Sequence, residues 1–221
     1  MLIITGPGRS GTSLLALFCK ELGFDPGGTW HDTVDAGLEY PPVVRINNAL
    51  LADAAATGTT DTAAAAQREP IAALDYGVIK DPRFTYHPSI IRVWRAVRQD
   101  FSVLVTYRRP EHTIASRKRR ATDLMRGINK NRSGDDVRQE LADTLEVLLD
   151  LQIPHRMILF PQMLERYDEV YTALRDLGLE FDKEKGREIW GRIIRPDRVH
   201  FRPEDQSSKS TRRFGFWPGK K

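Results

Sequence analysis

The sequence contains few of the features that cross-link a chain or anchor it in a membrane. Cys19 is the single cysteine among 221 residues, which excludes a disulfide within the chain. The apolar runs fall far short of the roughly 20 residues that a membrane-spanning helix requires, and no basic region precedes an apolar stretch of the signal-peptide type. The cysteine and histidines do not form a cluster with metal-ligand spacing. We therefore expect a cytoplasmic protein with no membrane span and no metal.

The chain also lacks a strong excess of charge of one sign. Lys and Arg total 34 against 30 Asp and Glu, and 40% of the residues are hydrophobic. These proportions are typical of a globular domain, and the length is sufficient to bury a full core. No RNA- or DNA-binding motif is present. We predict no nucleic-acid partner, and we interpret the basic run at 117–120 as a solvated helix face.

The chain opens with a pattern of strand, glycine-rich loop and helix. An apolar run at 2–4 leads into Gly-Pro-Gly-Arg-Ser-Gly-Thr-Ser at 6–13, and periodic apolar residues follow at 14–22. Glycine lets backbone N–H groups approach an anion closely, and the N-terminus of a helix adds positive potential. The loop is therefore predicted to hold a phosphate or sulfate group, with these residues as ligands: Gly8, Arg9, Ser10, Gly11, Thr12 and Ser13.

The loop departs at one position from the nucleoside-triphosphate loop G-x-x-x-x-G-K-[ST]. Gly6, Gly11 and Ser13 fit that pattern, but Thr12 stands where the lysine is required. A kinase needs that lysine on the β- and γ-phosphates. Arg9 is the only cation in the loop, three residues before the position of that lysine. The pattern therefore favours a ligand whose terminal phosphate or sulfate is approached from a different side than in a kinase.

A second anion-binding pattern lies in the middle of the chain. Residues 101–108 read as a buried strand that ends in Arg108, and Pro110 is well placed to start a helix. Ser116 follows eight residues after Arg108, one or two turns into that helix. A guanidinium fork combined with a hydroxyl near a helix start grips a dianion well. Arg108 and Ser116 are therefore chemically suited to a bound dianion.

These patterns together resemble the sulfotransferases that use 3′-phosphoadenosine 5′-phosphosulfate. The segment Pro7-x-Arg-Ser-Gly-Thr-Ser13 is similar to their 5′-phosphosulfate loop, and the Arg108 and Ser116 pair is similar to their site for the 3′-phosphate. Further similarities follow in chain order, so that the resemblance spans residues 2–194. They comprise Gly37-Leu-Glu39 with the segment 43–47 that ends in Asn47, Lys80-Asp-Pro-Arg83 (as in bacterial members), the strand-like 156–160 and the segment 173–182.

The resemblance implies a transferase that moves a sulfuryl group by in-line displacement and releases adenosine 3′,5′-bisphosphate. The acceptor would be a hydroxyl or amine of a small molecule, glycan or lipid, and no metal would be required. Arg9 and Lys80 would stabilise the developing negative charge. Glu39 is the first candidate for the general base, with Asp32, His31 and Asp81 as alternatives.

The alternation of strands and helices predicts an α/β domain with a parallel sheet flanked by helices. The resemblance adds the P-loop nucleotide-binding type. We place the domain at 1–201, followed by a basic tail at 202–221. The tail is either partly ordered or closes over the cofactor through Arg212, Arg213 and Gly215. Strands are predicted at 2–5, 77–80, 102–107 and 156–160, and helices at 12–23, 42–54, 87–98, 111–122, 135–151, 162–177 and 183–194.

Three features of the sequence leave alternatives open. The small-residue tract at 52–66 is compatible with a helix extension, a loop or a lid, and residues 123–134 read as an exposed connection. The strand–loop–helix start is also compatible with a P-loop kinase of a small molecule. A non-catalytic nucleotide-binding module would retain the loop but lose the surrounding cations, whereas Arg9, Lys80 and Arg108 are all present.

Overall fold

A computed structural model describes residues 1–26, 38–119 and 133–194 and confirms the predicted α/β class. Four strands form one sheet, and their bounds differ from the predicted ones by at most one residue at an end. The strands are β1 (Leu2–Thr5), β2 (Val78–Lys80), β3 (Ser102–Tyr107) and β4 (His155–Leu159). The predicted tail at 202–221 and nearly all of the connection at 123–134 lie outside the described residues.

The strands run parallel in the order β2-β1-β3-β4. In this register Ile4 lies beside Lys80 on one side and beside Leu104 on the other. The chain leaves β1 first toward β2 and later returns to the opposite side of β1 with β3, so the topology switches direction between β1 and β3. In open α/β sheets, ligands bind at the carboxyl ends of the strands beside such a switch point. The loops after β1 and β3 are therefore neighbours at the favoured position.

Helices cover both faces of the sheet. Leu2 and Ile4 point into one core with α1, α7 and α8, whereas Ile3 points into a second core with α2, α3, α4 and α6. Burial on both faces explains why β1 is a continuous apolar run and does not alternate. The helices are α1 (Thr12–Glu21), α2 (Pro41–Thr57), α3 (Asp61–Ala72), α4 (Ser89–Val97), α5 (Pro110–Arg119), α6 (Gly134–Asp150), α7 (Tyr167–Asp176) and α8 (Lys183–Ile193).

The small-residue tract at 52–66 forms a turn between two helices. Helix α2 continues to Thr57 and ends where Gly58 adopts a left-handed backbone conformation (φ 77°). Helix α3 then begins at Asp61, and the N–H of Ala63 donates to Asp53 Oδ2 at 2.8 Å across the turn. Alanine has the highest helix propensity, which accounts for helix on both sides of the turn.

The single helix predicted at 162–177 is wrong at its start. A short 3₁₀ turn spans Gln162–Leu164, and α7 begins only at Tyr167. Arg166 has a non-helical backbone (φ −121°, ψ 59°), which separates the two segments. Met163 is fully buried in the core beside α1, so the turn is held in place by packing that periodicity does not reveal. Within the described ranges, no helix combines the length and apolar content that a membrane crossing requires.

Candidate functional site

The loop after β1 is tightly curved and lies against β3. Gly6, Arg9 and Gly11 all have positive φ values, of 151°, 77° and 96°. A Cβ atom on Gly6 would overlap the side chain and the carbonyl oxygen of Thr106 on β3. Gly11 is the residue before the first turn of α1. The first backbone N–H groups of a helix have no partner within the helix, so the amides of Thr12 and Ser13 are suitable anion ligands.

Ser10 anchors this loop through its side chain. Its Oγ lies 2.6 Å from Thr106 Oγ1, and Thr106 Oγ1 donates to the carbonyl oxygen of Thr5 at 3.2 Å. Ser10 is fully buried, and Thr12 is nearly so. The Ser10 hydroxyl is therefore engaged within the protein. Gly8 and Ser13 are half-buried at the surface of the same loop.

Arg9, Arg108 and Ser116 meet beside the loop. Arg9 Nε donates to Ser116 Oγ at 3.4 Å, and Arg108 Nη1 donates to the carbonyl oxygen of Arg9 at 3.2 Å. The guanidinium of Arg108 lies 5.1 Å from the centre of the Phe160 ring. Arg108 is 3% exposed and Ser116 is 0% exposed. The structure thus brings together residues from the loop, the end of β3 and helix α5.

Positive charge is concentrated at the carboxyl ends of β1 and β3. Burial, and then repulsion from Arg9, lower the pKa of Arg108 to about 10. Burial also lowers the pKa of His112 on the first turn of α5, with added repulsion from Arg108 and Arg109. A group whose charged form is disfavoured in this way gains from a nearby anion. The chemistry of these side chains therefore fits a bound phosphate or sulfate.

A second group of charged residues lies at the carboxyl end of β2. Lys80 Nζ contacts Glu39 Oε1 at 2.8 Å, and Arg83 Nη1 contacts Glu39 Oε2 at 2.7 Å. The side chain of Lys80 is 4% exposed and that of Glu39 is 24% exposed. Burial alone would raise the pKa of Glu39, but Lys80 and Arg83 outweigh it and hold this pKa below its ordinary value. Glu39 is thus ionised at neutral pH, and its side chain is partly exposed.

Asp81 lies beneath this group and is fully buried. Its Oδ1 accepts from Arg83 Nη1 and from the Arg83 backbone N–H, both at 2.9 Å, and its Oδ2 accepts from Asn47 Nδ2 at 2.9 Å. Burial raises the pKa of Asp81, although Arg83 opposes this effect. Because Asp81 is fully buried whereas the side chain of Glu39 is partly exposed, Asp81 is less suited than Glu39 to accept a proton from a substrate.

The two groups flank the loop on opposite sides of β1. Arg108 follows β3 and Lys80 ends β2, and β1 lies between these strands. Adjacent strands are about 4.8 Å apart, so the cations on one side and Glu39 on the other are separated by a distance of small-molecule size. Asp32 and His31, the other candidate bases, lie outside the described residues.

Three contributors to the site were given no role by the sequence analysis. Phe160 lies against Arg108, and Asn47 bonds Asp81 from α2. His112 is buried near Arg108 at the start of α5. The only local signals were the spacing of His112 from the strand end and the polar Asn47 in an otherwise apolar helix face. Neither signal predicts a partner.

Comparisons with known proteins give only a distant structural likeness, of which one example is a solved sulfotransferase domain. No protein-family model matches the chain, and no curated protein matches its sequence. A solved structure described as the sulfotransferase domain from the curacin biosynthetic pathway aligns with 84% of this chain and 76% of that chain, at 18% sequence identity and a TM-score of 0.49. At this level of similarity, function has to be inferred from the residues of the site.

Proposed function

We propose that this protein is a sulfotransferase that moves a sulfuryl group from 3′-phosphoadenosine 5′-phosphosulfate to a hydroxyl or amine of an acceptor. The observation that carries this proposal is the meeting of Arg9, Arg108 and Ser116 beside a glycine loop at the switch point of the sheet. A donor with phosphate groups at two positions matches a site with a helix N-terminus and a separate buried arginine.

Each end of the donor has its own set of ligands in this proposal. The loop amides at 8–13, together with the Arg9 guanidinium, hold the 5′-phosphosulfate. Arg108 and Ser116 hold the 3′-phosphate, since the fork of Arg108 can bond two phosphate oxygens and the Ser116 hydroxyl a third. Thr12, which stands in place of the Walker lysine, is buried and brings no charge.

The donor supplies an activated sulfuryl group and a bisphosphate leaving group. Glu39 accepts the proton of the acceptor hydroxyl while the acceptor oxygen bonds to sulfur. At the same time the bond from sulfur to the bridging oxygen of the 5′-phosphate breaks, and the bisphosphate leaves with that electron pair. Arg9 and Lys80 stabilise the negative charge that grows on the bridging oxygen. Lys80 already contacts Glu39 at 2.8 Å, so it lies next to the proposed base.

Binding of the reaction product is the first test of this function. We would titrate the protein calorimetrically with adenosine 3′,5′-bisphosphate, with AMP, which lacks the 3′-phosphate, and with ATP·Mg²⁺. The bisphosphate is expected to bind most tightly. Replacing Arg108→Ala should weaken it about 10- to 100-fold, because hydrogen bonds to charged groups contribute about 1.5–3 kcal/mol.

Arg109→Ala provides the matched control for this titration. Arg109 is the next residue in the chain and is exposed, so its replacement removes the same formal charge from outside the site. We expect it to change the bisphosphate affinity by less than about threefold, the effect of a screened surface charge. A preference for ATP·Mg²⁺ would contradict the proposal in favour of a kinase. Equal affinity for AMP and the bisphosphate would show that Arg108 and Ser116 do not bind a 3′-phosphate.

A further inference from the structure

A buried chain of hydrogen bonds links helix α4 to the proposed base. Trp94 Nε1 donates to Asn47 Oδ1 at 2.9 Å, and Asn47 Nδ2 donates to Asp81 Oδ2 at 2.9 Å. Trp94, Asn47 and Asp81 are all 0% exposed. Both ends of the Asn47 amide are therefore used, and its orientation is fixed by a donor on one side and an acceptor on the other.

Asp81, held by Asn47, in turn fixes the position of Arg83. Its Oδ1 accepts from the backbone N–H and from Nη1 of Arg83, each at 2.9 Å. A second contact fixes the other side of the guanidinium, where Arg83 Nε donates to Asn48 Oδ1 at 2.7 Å. A planar guanidinium held at both sides has little rotational freedom left. Its Nη1 then lies 2.7 Å from Glu39 Oε2.

We propose that Asp81 and Asn47 are positioning residues that hold Arg83 in place and, through Arg83, orient the Glu39 carboxylate toward the acceptor. This inference rests on the proposed function only in the catalytic role that it gives to Glu39. It assigns to Asp81 a supporting role in place of the role of base, since a fully buried carboxylate does not reach a substrate. Buried polar networks that are fully satisfied fix one geometry.

The direction of one pKa change separates positioning from a simple effect of charge. Among the described residues, the charged groups that face Glu39 are Lys80 and Arg83, which lower its pKa, and Asp81, whose negative charge opposes them. If Asp81 acts only through its charge, Asp81→Asn lowers the pKa of Glu39 further. If Asp81 holds Arg83 in place, Asp81→Asn loosens that cation and raises the pKa of Glu39 toward its ordinary value.

A charge-swapped pair is the matched control. In Asp81→Asn alone, the new amide group faces Asn47 Nδ2, so two donors meet and one buried bond is lost. Adding Asn47→Asp restores an acceptor at that contact and keeps an acceptor for Trp94 Nε1, while the new Oδ1 at position 81 still accepts from Arg83. The swapped protein therefore keeps the hydrogen bonds and the net charge but moves the carboxylate one step away from Arg83.

The experiment follows the carboxyl carbon of Glu39 by NMR across a pH titration of the full-length protein, with Glu39→Gln used to assign the signal. We expect a raised pKa in Asp81→Asn and in Arg83→Met, and a pKa at or below the wild-type value in the swapped protein. An unchanged or lowered pKa in Asp81→Asn would overturn the inference. If that variant does not fold, a folded swapped protein in which Glu39 titrates as high as in Arg83→Met would overturn it.

A separate titration with adenosine 3′,5′-bisphosphate keeps this inference distinct from the proposed function. Asp81→Asn should bind the bisphosphate within about twofold of the wild type, because the proposed phosphate ligands lie on the other side of β1. Failure of the wild-type protein to bind the bisphosphate would refute the proposed function, whereas the NMR titration would still decide whether Asp81 positions Arg83 against Glu39.

Discussion

At the scale of single residues, the site is built from opposed charge environments on the two sides of β1. Arg108 is buried near a second cation, and its pKa falls to about 10 as a result. Glu39 is held between two cations, which lower its pKa. The first environment attracts an anion, and the second keeps a carboxylate ionised and ready to accept a proton. In the proposed reaction, the first environment would bind the anionic donor and the second would take the proton of the acceptor.

Replacing Glu39→Gln tests this division of labour. We expect the turnover number to fall about 100- to 10,000-fold, the range that general-base catalysis contributes, while bisphosphate affinity stays within about twofold. Release of adenosine 3′,5′-bisphosphate from the donor, measured with a panel of phenol, sugar and lipid acceptors, gives the rate. Glu69→Gln, on the exposed part of α3, is the control. A variant with normal turnover would rule out Glu39 as the base.

At the scale of elements, the curvature of the loop after β1 sets the position of α1. Gly11 has a left-handed backbone (φ 96°), and a Cβ atom there would lie 2.6 Å from Met163 Cε and 2.7 Å from Phe160 Cδ2. The loop is thus enclosed by the segment after β4 as well as by β3. The residue at position 11 must therefore be small and also tolerate positive φ, and glycine meets both requirements.

A pair of glycine variants separates these two requirements. Gly23 also has a left-handed backbone (φ 94°), but a Cβ atom there meets nothing within 4 Å among the described residues. Gly23→Ala should cost about 1–2 kcal/mol of unfolding free energy from backbone strain. Gly11→Ala should cost a further 1–3 kcal/mol, roughly the effect of overpacking, and should weaken bisphosphate binding. Urea unfolding measures the loss of stability in each variant, and titration with the bisphosphate measures the change in binding. Equal losses of stability would show that the space around Gly11 is not limiting.

Elements were predicted well where the signal is local. The strands at 2–5 and 102–107 are correct at both ends because short apolar runs flanked by loop residues mark them. Helix α3 and the 3₁₀ turn at Gln162–Leu164 were missed. The start of α3 depends on Gly58, which ends α2 within an alanine-rich tract. The 3₁₀ turn depends on the burial of Met163. Neither effect appears in hydrophobic periodicity.

At the scale of the whole molecule, two hydrophobic cores on opposite faces of the sheet fix the carboxyl ends of the strands, where the candidate site lies. Cys19 lies in the core beside α7 and α8 and is 0% exposed. Burial raises the pKa of its thiol to about 12. The thiolate is the reactive form of cysteine, so the native protein has almost no reactive thiol at this position. Modification of Cys19 therefore reports on opening of the structure.

Labelling of Cys19 with a thiol reagent should be slow in the native protein and fast in urea. Adenosine 3′,5′-bisphosphate at 100 times its dissociation constant stabilises the folded state by about 2.7 kcal/mol, so labelling should slow about 100-fold. Ala55→Cys in a Cys19→Ser background, at an exposed site on α2, should label at once with or without ligand. Rapid native labelling of Cys19, or no effect of the bisphosphate, would contradict the expectation.

The sequence by itself determined the parts of this protein that depend on neighbouring residues. It specified the strand, the glycine loop and the helix that follows, and it placed Ser116 eight residues after Arg108. Only the tertiary structure decided which distant residues meet. Arg9 contacts Ser116 across 107 positions, and Glu39 contacts Arg83 across 44. These contacts follow from the strand order β2-β1-β3, which depends on how whole elements pack and which no local pattern of residues encodes.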